Sequence, residues 1–398
     1  MTSLISRRIF FAKLPRKYNN FCIRHLCNTQ TQNDSRPKMA WLDLRGAGLS
    51  AIERLSIEEL LLRHDPLERC WGIIGIHEPT HNRLLKTLLP PYNDNADKDR
   101  ELLKEEDRLV DIYGHVNDHI PNRSCAIIMG IGGKPKKLID IQSAKNDNVL
   151  VIKRFSGGGT VVVDHSSLWT TFIGRNKILK DRVKPYPREI MEWSADTIFS
   201  PAFNNLNREM MNATSDNKSR KRGRQTLVFQ GKSCGVSGGV GETLVLPPSI
   251  EEEDNEIPQQ TSTLPSFQLR ENDYVLGERK IGGNAQTITG DSFLHHTSFL
   301  WDWDNTNMDY LTLPDKRPDY RGDRSHDDFL VRLKDHYDNH GDSSIKKNSL
   351  FLHVKTATNT SFDLEEMTLN HVLNIANDKF GGLQQWFDTK CRTKIVKL

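Results

Sequence analysis

The sequence predicts an α+β fold, and three observations lead to this class. Short runs rich in β-branched residues lie between turn residues, which is typical of strands; examples are CAIIMGI, VLVIK, TVVV and LWTTFI between residues 125 and 173. A helical repeat of apolar residues occupies Leu49–Arg63, and Ser56 and Glu59 have the spacing of a capping box although they lie inside this repeat. Strands and helices do not alternate regularly, which argues against a doubly wound nucleotide-binding fold.

Composition limits the classes of protein to which the chain can belong. Its 398 residues allow one large domain or two to three ordinary ones, and 36% of them are apolar. No apolar run approaches the roughly 18–20 residues of a membrane helix, so we expect no membrane partner. Six cysteines without regular spacing argue against a disulfide scaffold, and a net charge of +3 does not by itself imply nucleic acid.

The first 35 residues differ from the rest of the chain in charge. Between Met1 and Asn33 there is no acidic residue, and apolar residues are interleaved with six basic ones: Arg7, Arg8, Lys13, Arg16, Lys17 and Arg24. A basic, amphipathic, acid-free N-terminus is typical of an organelle transit peptide. We therefore expect residues 1–35 to direct the protein to mitochondria. Plastid import and an ordinary solvated basic tail are the alternatives.

Three polar segments interrupt the region from residue 38 to residue 330. They lie at residues 92–107, 204–225 and 247–266, and each carries few apolar side chains. Such segments bury too little apolar area to offset the entropy of ordering them, so we expect mobile surface insertions. The basic cluster around Lys218 lacks interleaved aromatic residues, which favours a solvated loop over a nucleic-acid site.

The last third of the chain predicts strands followed by helices. Tyr274–Thr289 and Ser292–Trp303 have the composition of strands, whereas His326–Tyr337 and Leu364–Trp386 have that of helices. Gly381 and Gly382 interrupt the last of these. Residues 331–398 are therefore expected to form a helical C-terminal extension.

Two adjacent histidines, His295 and His296, lie on a predicted strand, and histidine is a common metal ligand. Neighbouring strand residues point to opposite faces, so these two side chains cannot bind one metal ion. We expect structural roles for both and no metal site.

The segment VIKRFSGGGTVVVD, Val151–Asp164, places three consecutive glycines between two predicted strands. Glycine allows positive φ and lets the backbone come close to a ligand. Consecutive N–H groups in such a turn can form an anion-binding nest, and Arg154 adds a fixed charge with a bidentate fork. The segment therefore indicates a phosphate or carboxylate site, with a purely structural turn as the alternative. Neither a P-loop nor a Rossmann glycine pattern is present.

The segment ENDYVLGERKIGGNAQ, Glu271–Gln286, places Lys280 just before a Gly-Gly pair. A lysine here could reach a ligand phosphate or carbonyl as a compact point charge, and an exposed hairpin lysine is the alternative. Asp273 lies seven residues earlier, so in extended structure it would point to the opposite face. A hairpin bend around Gly277 would change that count.

Together these two segments resemble the biotin/lipoate protein ligase superfamily, which includes the lipoate-protein ligase A-like and lipoate–octanoate transferase catalytic domains. RFSGGGTVVVD is similar to the family's R-x-SGGG-x-V-x-x-D lipoate-binding loop, and GERKIGGNAQ to its R-K-[IF]-x-G-x-A-Q signature. The segments LHHTSFLWDWD and LPDKRPDYRGDRSHDDFL are similar to the lipoate ligase A-like branch. The resemblance makes residues 38–330 a catalytic domain with a mixed β-sheet flanked by helices, as in class II synthetases and biotin–lipoate ligases.

The resemblance also implies roles for individual residues. Lys280 is the expected catalytic residue and should hold the activated acyl group. The expected substrate- and ATP-binding residues are Arg154, Ser156, Gly157, Gly158, Gly159, Thr160, Val161, Val162, Gly283, Asn284 and Ala285. Two departures from the family pattern concern substrate geometry: Val163 rather than histidine precedes Asp164, and Gly282 stands where many members have serine.

The function implied by the resemblance is that of a lipoate–protein ligase. ATP and Mg²⁺ would activate lipoate as lipoyl-AMP, and a specific lysine of a lipoyl carrier domain would then attack it. The implied partners are the carrier domains of 2-oxoacid dehydrogenases and the glycine-cleavage carrier protein, and no nucleic acid is expected.

Two alternatives stay open at this point. One is an octanoyl- or lipoyl-transferase that uses no ATP, and the other is a non-catalytic carrier-binding protein. The transferase branch uses a cysteine downstream of the lysine, where this chain reads LTLPDKRP and has none. Cys234, in the flexible sequence GKSCGVSGG, lies upstream of the lysine and is the cysteine left to test.

Overall fold

Two β-sheets of different size form the framework of the protein. The computed structural model describes residues 36–77, 125–224, 266–312, 317–337 and 343–398. The strands in these residues are β1 (Lys38–Asp43), β2 (Cys70–Ile76), β3 (Ala126–Met129), β4 (Leu150–Lys153), β5 (Val161–Val163), β6 (Ser167–Arg175), β7 (Phe267–Arg270), β8 (Asp273–Leu276), β9 (Arg279–Ile288), β10 (Ser292–Leu300), β11 (Asp363–Met367) and β12 (Lys394–Ile395).

Helices flank the two sheets. The α-helices in the described residues are α1 (Ala51–His64), α2 (Pro135–Leu138), α3 (Ile141–Asn146), α4 (Asn176–Leu179), α5 (Pro187–Ser194), α6 (Ser200–Arg224), α7 (Asn305–Met308), α8 (His326–Phe329), α9 (Leu333–Tyr337), α10 (Ser343–Ser361), α11 (Leu369–Phe380) and α12 (Leu383–Thr389). A π-helical turn, Ala195–Phe199, joins α5 to α6, and a 3₁₀ turn covers Asp319–Arg321. None of these helices is long and apolar enough to span a bilayer.

Both sheets are mixed. The larger has the strand order β11-β1-β2-β6-β10-β9-β8-β7, and the smaller has the order β12-β4-β3-β5. Strand β1 runs parallel to β2 and β11, and β3 runs parallel to β4, whereas the other neighbours are antiparallel. This arrangement of mixed sheets with flanking helices confirms the predicted α+β class.

Strand β6 explains why the larger sheet is covered on both faces. All nine of its residues are buried, and successive side chains point to opposite sides. Leu168 and Phe172 join a core formed with α5, α6 and α10. Trp169 and Ile173 join a second core, formed with α1, α11, α12 and residues of the smaller sheet. The smaller sheet therefore packs on the same side of the larger sheet as α1.

Helix α1 occupies most of the predicted helical segment and is capped by Ser50. The carboxylate of Glu53 accepts hydrogen bonds from the amide and hydroxyl of Ser50, at 2.8 and 2.7 Å, and this pair forms the capping box. Ser56, which has the same spacing to Glu59, lies inside the helix and donates to the carbonyl of Ile52 at 2.7 Å.

The C-terminal extension is largely helical, as predicted, but it also adds an edge strand to each sheet. Residues 363–367 pair with β1, so the start of the predicted helix Leu364–Trp386 is a strand. Backbone pairing with the open edge of β1 outweighs the local helical pattern here. Gly381 ends α11 with a φ of 78°, which confirms the predicted interruption. The predicted helix His326–Tyr337 divides into α8 and α9, because Leu330 pairs with the backbone of Lys280.

The polar segment 204–225 is the clearest correction to the sequence analysis. It was predicted as a mobile loop, whereas residues up to Arg224 continue helix α6. Phe203, Leu206 and Met210 are buried at helical spacing and hold this part of the helix against the core. The predicted transit peptide, the segment 92–107 and all but Ser266 of the segment 247–266 lie outside the described residues.

Candidate functional site

One large cavity, of about 1030 Å³, is lined by both glycine-rich segments. The glycine turn after β4 forms one wall together with the smaller sheet, and the hairpin of β8 and β9 forms another. A further wall comes from residues 311–312 and from the segment 317–329, which ends with α8. The cavity thus brings together two motifs that lie far apart in the sequence.

The glycine turn packs directly against strand β9. The amide of Gly157 donates to the carbonyl of Gln286 at 2.8 Å. Gly158 has a φ of 110°, and a Cβ there would lie 2.7 Å from the carbonyl oxygen of Asn284. Only glycine tolerates both this backbone conformation and this close approach. The third glycine, Gly159, has open space around its Cα, so crowding does not explain it.

The buried side chain of Arg154 binds the backbone of the glycine turn. This side chain is 4% exposed, and its Nη2 donates to the carbonyls of Gly157 and Gly159 at 3.1 and 2.7 Å. Burial lowers the pKa of Arg154 to about 10, which leaves the guanidinium protonated at neutral pH. The fork that the sequence analysis assigned to an anionic ligand is therefore engaged with backbone carbonyls, although Arg154 does line the cavity.

The amides of the turn are better placed for an anion than the guanidinium is. Within the described residues, the amides of Gly158, Gly159 and Thr160 donate no hydrogen bond, and the buried hydroxyl of Thr160 has no partner. All three residues line the cavity. Because Arg154 holds the carbonyls, consecutive N–H groups remain for a ligand, in the manner of a nest.

Lys280 forms an ion pair with Asp273 at the cavity wall. The distance from Nζ to Oδ1 is 2.7 Å, and the lysine side chain is 23% exposed. The two residues meet because β8 and β9 form a hairpin in which Asp273 is paired with Gly283, with a bulge after Tyr274. The hairpin bend considered in the sequence analysis is thus present, and it brings both side chains to one side.

Residues that the sequence analysis did not assign hold this ion pair in place. The hydroxyl of Tyr320 donates to Oδ2 of Asp273 at 2.9 Å. The carboxylate of Glu271 accepts from the amides of Asp319 and Tyr320, at 3.3 and 3.1 Å. The sequence offers one signal for Tyr320, since it belongs to the segment LPDKRPDYRGDRSHDDFL, which is similar to the lipoate ligase A-like branch.

Most of the predicted binding residues line the cavity. Besides Arg154 and Lys280, this group comprises Gly157, Gly158, Gly159, Thr160, Val161, Gly283, Asn284 and Ala285. The amide of Asn284 is fixed on both sides, because it donates to the carbonyl of Asn272 at 3.0 Å and accepts from the hydroxyl of Thr297 at 2.8 Å.

Ser156 and Val162 do not line the cavity, contrary to the prediction. Val162 points to the other face of the smaller sheet, where it packs with Ile127 and Val151. Strand alternation places Val161 and Val163 on the cavity side instead. Ser156 is 1% exposed, and its carbonyl accepts from the amide of Ile131 at 2.9 Å.

An apolar part of the cavity wall belongs to the second core. Leu55, Ile128, Val163 and Trp169 contribute to both. His296 also lines this cavity, and its Nδ1 lies 3.1 Å from both carboxylate oxygens of Glu58 on α1.

His295 lies on the other face of β10, which confirms the predicted alternation. Its Nε2 lies 3.0 Å from the hydroxyl of Ser194 and 3.1 Å from that of Tyr274. Burial lowers the pKa of His295 to about 3, so the ring is neutral. In the part of the chain that the structure describes, no three metal-ligand side chains lie together.

The lipoyl protein ligase A/B catalytic domain is the family whose model matches this chain. The match covers residues 97–209 and 248–352, which together are more than half of the sequence. The chain belongs to this family. Membership confirms the resemblance, and both glycine-rich segments of the lipoyl protein ligase domain lie within the matched residues.

Comparison with individual proteins finds similarity to lipoate ligases. The inactive lipoate–protein ligase 2 of Plasmodium falciparum is 29% identical over 231 residues, which are 55% of this chain and 50% of that protein. This chain therefore matches about half the length of that curated relative.

Two solved structures are similar to this chain over most of its length. The bipartite lipoate protein ligase of Thermoplasma acidophilum, studied with its E2 lipoyl domain, is 12% identical with a TM-score of 0.48 and covers 89% of this chain and 93% of its own. A lipoate-protein ligase A bound with ATP is 14% identical with a TM-score of 0.43, and covers 89% and 95%.

Proposed function

We propose that the protein is a lipoate–protein ligase that joins lipoate, through lipoyl-AMP, to a specific lysine of a lipoyl carrier domain. One observation carries the proposal. A single cavity brings together an apolar wall for an acyl chain, the unpartnered amides of the glycine turn and the partly exposed ammonium of Lys280.

The chemistry of acyl transfer gives each of these parts a role. A carboxylate is a poor electrophile at neutral pH and needs a good leaving group before an amine can attack it. Lys280 would donate hydrogen bonds to the acyl carbonyl and the adjoining phosphate as negative charge develops on them. The amides of Gly158 and Gly159 would bind oxygens of the same mixed anhydride, and Trp169 and Leu55 would pack along the acyl chain.

The residues of the cavity also fit ATP with Mg²⁺ as a substrate complex. Mg²⁺ usually binds through one or two carboxylates together with substrate phosphates. Glu271 and Asp273 are the carboxylates that line the cavity, and they are the protein groups that would hold the ion. A protein-only metal cage is not required for this chemistry.

A transferase that passes the acyl group through a cysteine is the first rival. The described cysteines are Cys70, Cys125 and Cys391, and all three are buried and absent from the cavity wall. Burial raises the pKa of Cys391 to about 12, which disfavours the thiolate. Cys234 lies outside the described residues, so it has to be tested directly.

A non-catalytic carrier-binding protein is the second rival, and the printed name of the Plasmodium relative favours it. That name applies to a protein that shares 29% identity over part of its length. The present chain has Lys280, Asp273 and the complete glycine turn assembled around one cavity, which supports turnover.

One assay separates the three functions. The full chain is incubated with a lipoyl carrier domain, either with free lipoate, ATP and Mg²⁺ or with octanoyl carrier protein and no ATP. Acylation of the carrier is read as a mass shift, and a carrier whose acceptor lysine is replaced by arginine is the control. We expect acylation in the first arm, undiminished by Cys234→Ser.

Acylation in the second arm alone, abolished by Cys234→Ser and accompanied by an acyl-enzyme adduct, would favour the transferase. Tight binding of lipoyl-AMP by calorimetry speaks for the ligase. Absence of acylation in both arms and of lipoyl-AMP binding would favour the non-catalytic protein.

We further propose that the protein acts in mitochondria, because its N-terminus is basic, amphipathic and free of acidic residues. Residues 1–35 fused to a fluorescent reporter should carry it to mitochondria. A diffuse cytosolic signal would contradict this proposal, and a plastid signal would redirect it.

A further inference from the structure

A second group of basic side chains lines the cavity, and neither glycine-rich segment supplies it. Arg317, Arg321 and His326 all come from the chain leading into helix α8. Among all the residues that line the cavity, the arginines and lysine outnumber the carboxylates: the cations are Arg154, Lys280, Arg317 and Arg321, and the anions are Glu271 and Asp273. The cavity therefore carries an excess of positive charge.

Arg321 is buried, and Asp273, the carboxylate whose charge acts on it, already forms an ion pair with Lys280. Arg321 is 6% exposed, its Nε donates to the carbonyl of Arg324 at 3.3 Å, and its guanidinium lies 4.8 Å from the ring centre of Phe329. Its Nη2 has no hydrogen-bond partner in the part of the chain that the structure describes. Burial, followed by repulsion from Arg317, lowers the pKa of Arg321. A buried, incompletely paired guanidinium is unfavourable unless something else balances it.

The acidic side chains of this region are engaged elsewhere. Asp273 contacts Lys280 and Tyr320, and Glu271 accepts from the backbone amides of Asp319 and Tyr320. Arg317 has an acidic partner in Asp323, but Nη1 and Oδ1 are 3.4 Å apart and the aspartate side chain is 99% exposed. Such an exposed pair contributes little. An anion that enters the cavity would complete the electrostatic balance.

We propose that Arg317, Arg321 and His326 form a phosphoryl-binding subsite at the charged side of the cavity. This proposal rests on the proposed function, because it assumes that a phosphorylated cosubstrate enters this cavity. The planar fork of arginine matches two oxygens of a phosphate at once, and the half-buried imidazole of His326 would donate a third hydrogen bond. His326, Arg321 and Lys280 line the same cavity, and burial, followed by repulsion from Arg321, lowers the pKa of His326.

Two sources could supply the phosphoryl group. One is the pyrophosphate portion of ATP, which leaves when the acyl adenylate forms. The other is the phosphodiester of a phosphopantetheine arm that carries an acyl thioester, as in an acyl carrier protein. Both present the same oxyanion chemistry to the arginines, so the experiment has one arm for each source.

The test measures binding of inorganic pyrophosphate and of AMP to the full chain by calorimetry. Arg321→Gln and Arg317→Gln are compared with Arg208→Gln, which removes the same charge from an exposed position on α6. Because a hydrogen bond to a charged group is involved, we expect pyrophosphate to bind about 10–100-fold more weakly to Arg321→Gln. Binding of AMP should stay unchanged. Arg317 is partly exposed, so Arg317→Gln tests the subsite even if Arg321→Gln folds poorly.

The second arm measures acyl transfer from octanoyl carrier protein with the same variants. A loss confined to pyrophosphate binding assigns the subsite to the nucleotide, and a loss confined to transfer from octanoyl carrier protein assigns it to the donor's phosphodiester. The proposal is overturned if both probes behave as in the wild type, or if Arg208→Gln has the same effect. Arginine-dependent pyrophosphate binding without lipoylation would refute the proposed function while leaving the subsite in place.

Discussion

Each of the two glycine-rich segments contributes one cation to the cavity, and the structure uses these two cations differently. Arg154 is almost completely buried, and its guanidinium is engaged with the carbonyls of Gly157 and Gly159. Lys280 is partly exposed and has one acidic partner, Asp273. The first cation shapes a backbone turn, whereas the second can exchange its partner for a ligand.

The two cations therefore have different roles within one site: Arg154 positions the backbone, and Lys280 can contact a ligand. An arginine that binds carbonyls turns the opposite side of the peptide groups, the N–H groups, into the ligand-binding surface. A lysine paired with a carboxylate at the cavity wall is still within reach of a ligand. Tyr320 stabilises that arrangement, because it holds the second oxygen of Asp273. We therefore expect replacement of Lys280 to reduce activity and replacement of Arg154 to reduce stability.

Replacement of Lys280 should have the largest effect on activity. Lys280→Ala removes the donor that would face the developing charge, and loss of such a contact typically costs ~10²–10³ in rate. The fold should persist, because Asp273 keeps its hydrogen bond from Tyr320. Acylation of a carrier domain would be measured beside circular dichroism and the melting temperature. Wild-type turnover in a correctly folded variant would refute the assignment of the catalytic lysine.

Replacement of Arg154 should reduce stability even when its charge is kept. Arg154→Lys retains a cation but cannot reach both carbonyls of the turn, and leaving a buried acceptor unpaired costs about 1–3 kcal/mol. Urea denaturation should therefore show a lower free energy of unfolding. If Arg154→Lys were as stable as the wild type and lost only activity, the guanidinium would be acting on the ligand instead.

The sequence predicted the part of the site that depends on local chain properties. Three consecutive glycines and a lysine before a Gly-Gly pair indicate close backbone approach and a charged donor, and the structure places both at one cavity. The ion pair between Lys280 and Asp273 was not decided by the sequence, because it depends on a bulge in the β8–β9 hairpin. A one-residue shift in register reverses which face a side chain occupies.

The contributions of Arg317 and Arg321 could not be predicted from the sequence for a different reason. They reach the cavity because Glu271 binds the backbone of Asp319 and Tyr320, a contact between residues far apart in the chain. The strand formed by residues 363–367 also depends on a distant partner, the open edge of β1. Local patterns do not contain such information, and the helical pattern there led to the wrong element.

The smallest predicted effect tests the alternation within the first motif. Val161 and Val162 are neighbours on β5, yet Val161 lines the cavity and Val162 packs in the core with Ile127 and Val151. Val162→Ala removes the equivalent of two buried methylene groups, so the free energy of unfolding should fall by about 1.5 kcal/mol. Val161→Ala should cost less stability and instead weaken binding of the acyl substrate.

Urea denaturation of both variants, with calorimetry of lipoyl-AMP binding, measures the two effects side by side. The two alanine variants serve as controls for each other, since they make the same chemical change one residue apart. Because only one face of β5 meets the cavity, the stability effect and the binding effect should fall on different residues. Equal effects of the two variants on both measurements would mean that the strand does not separate the cavity from the core.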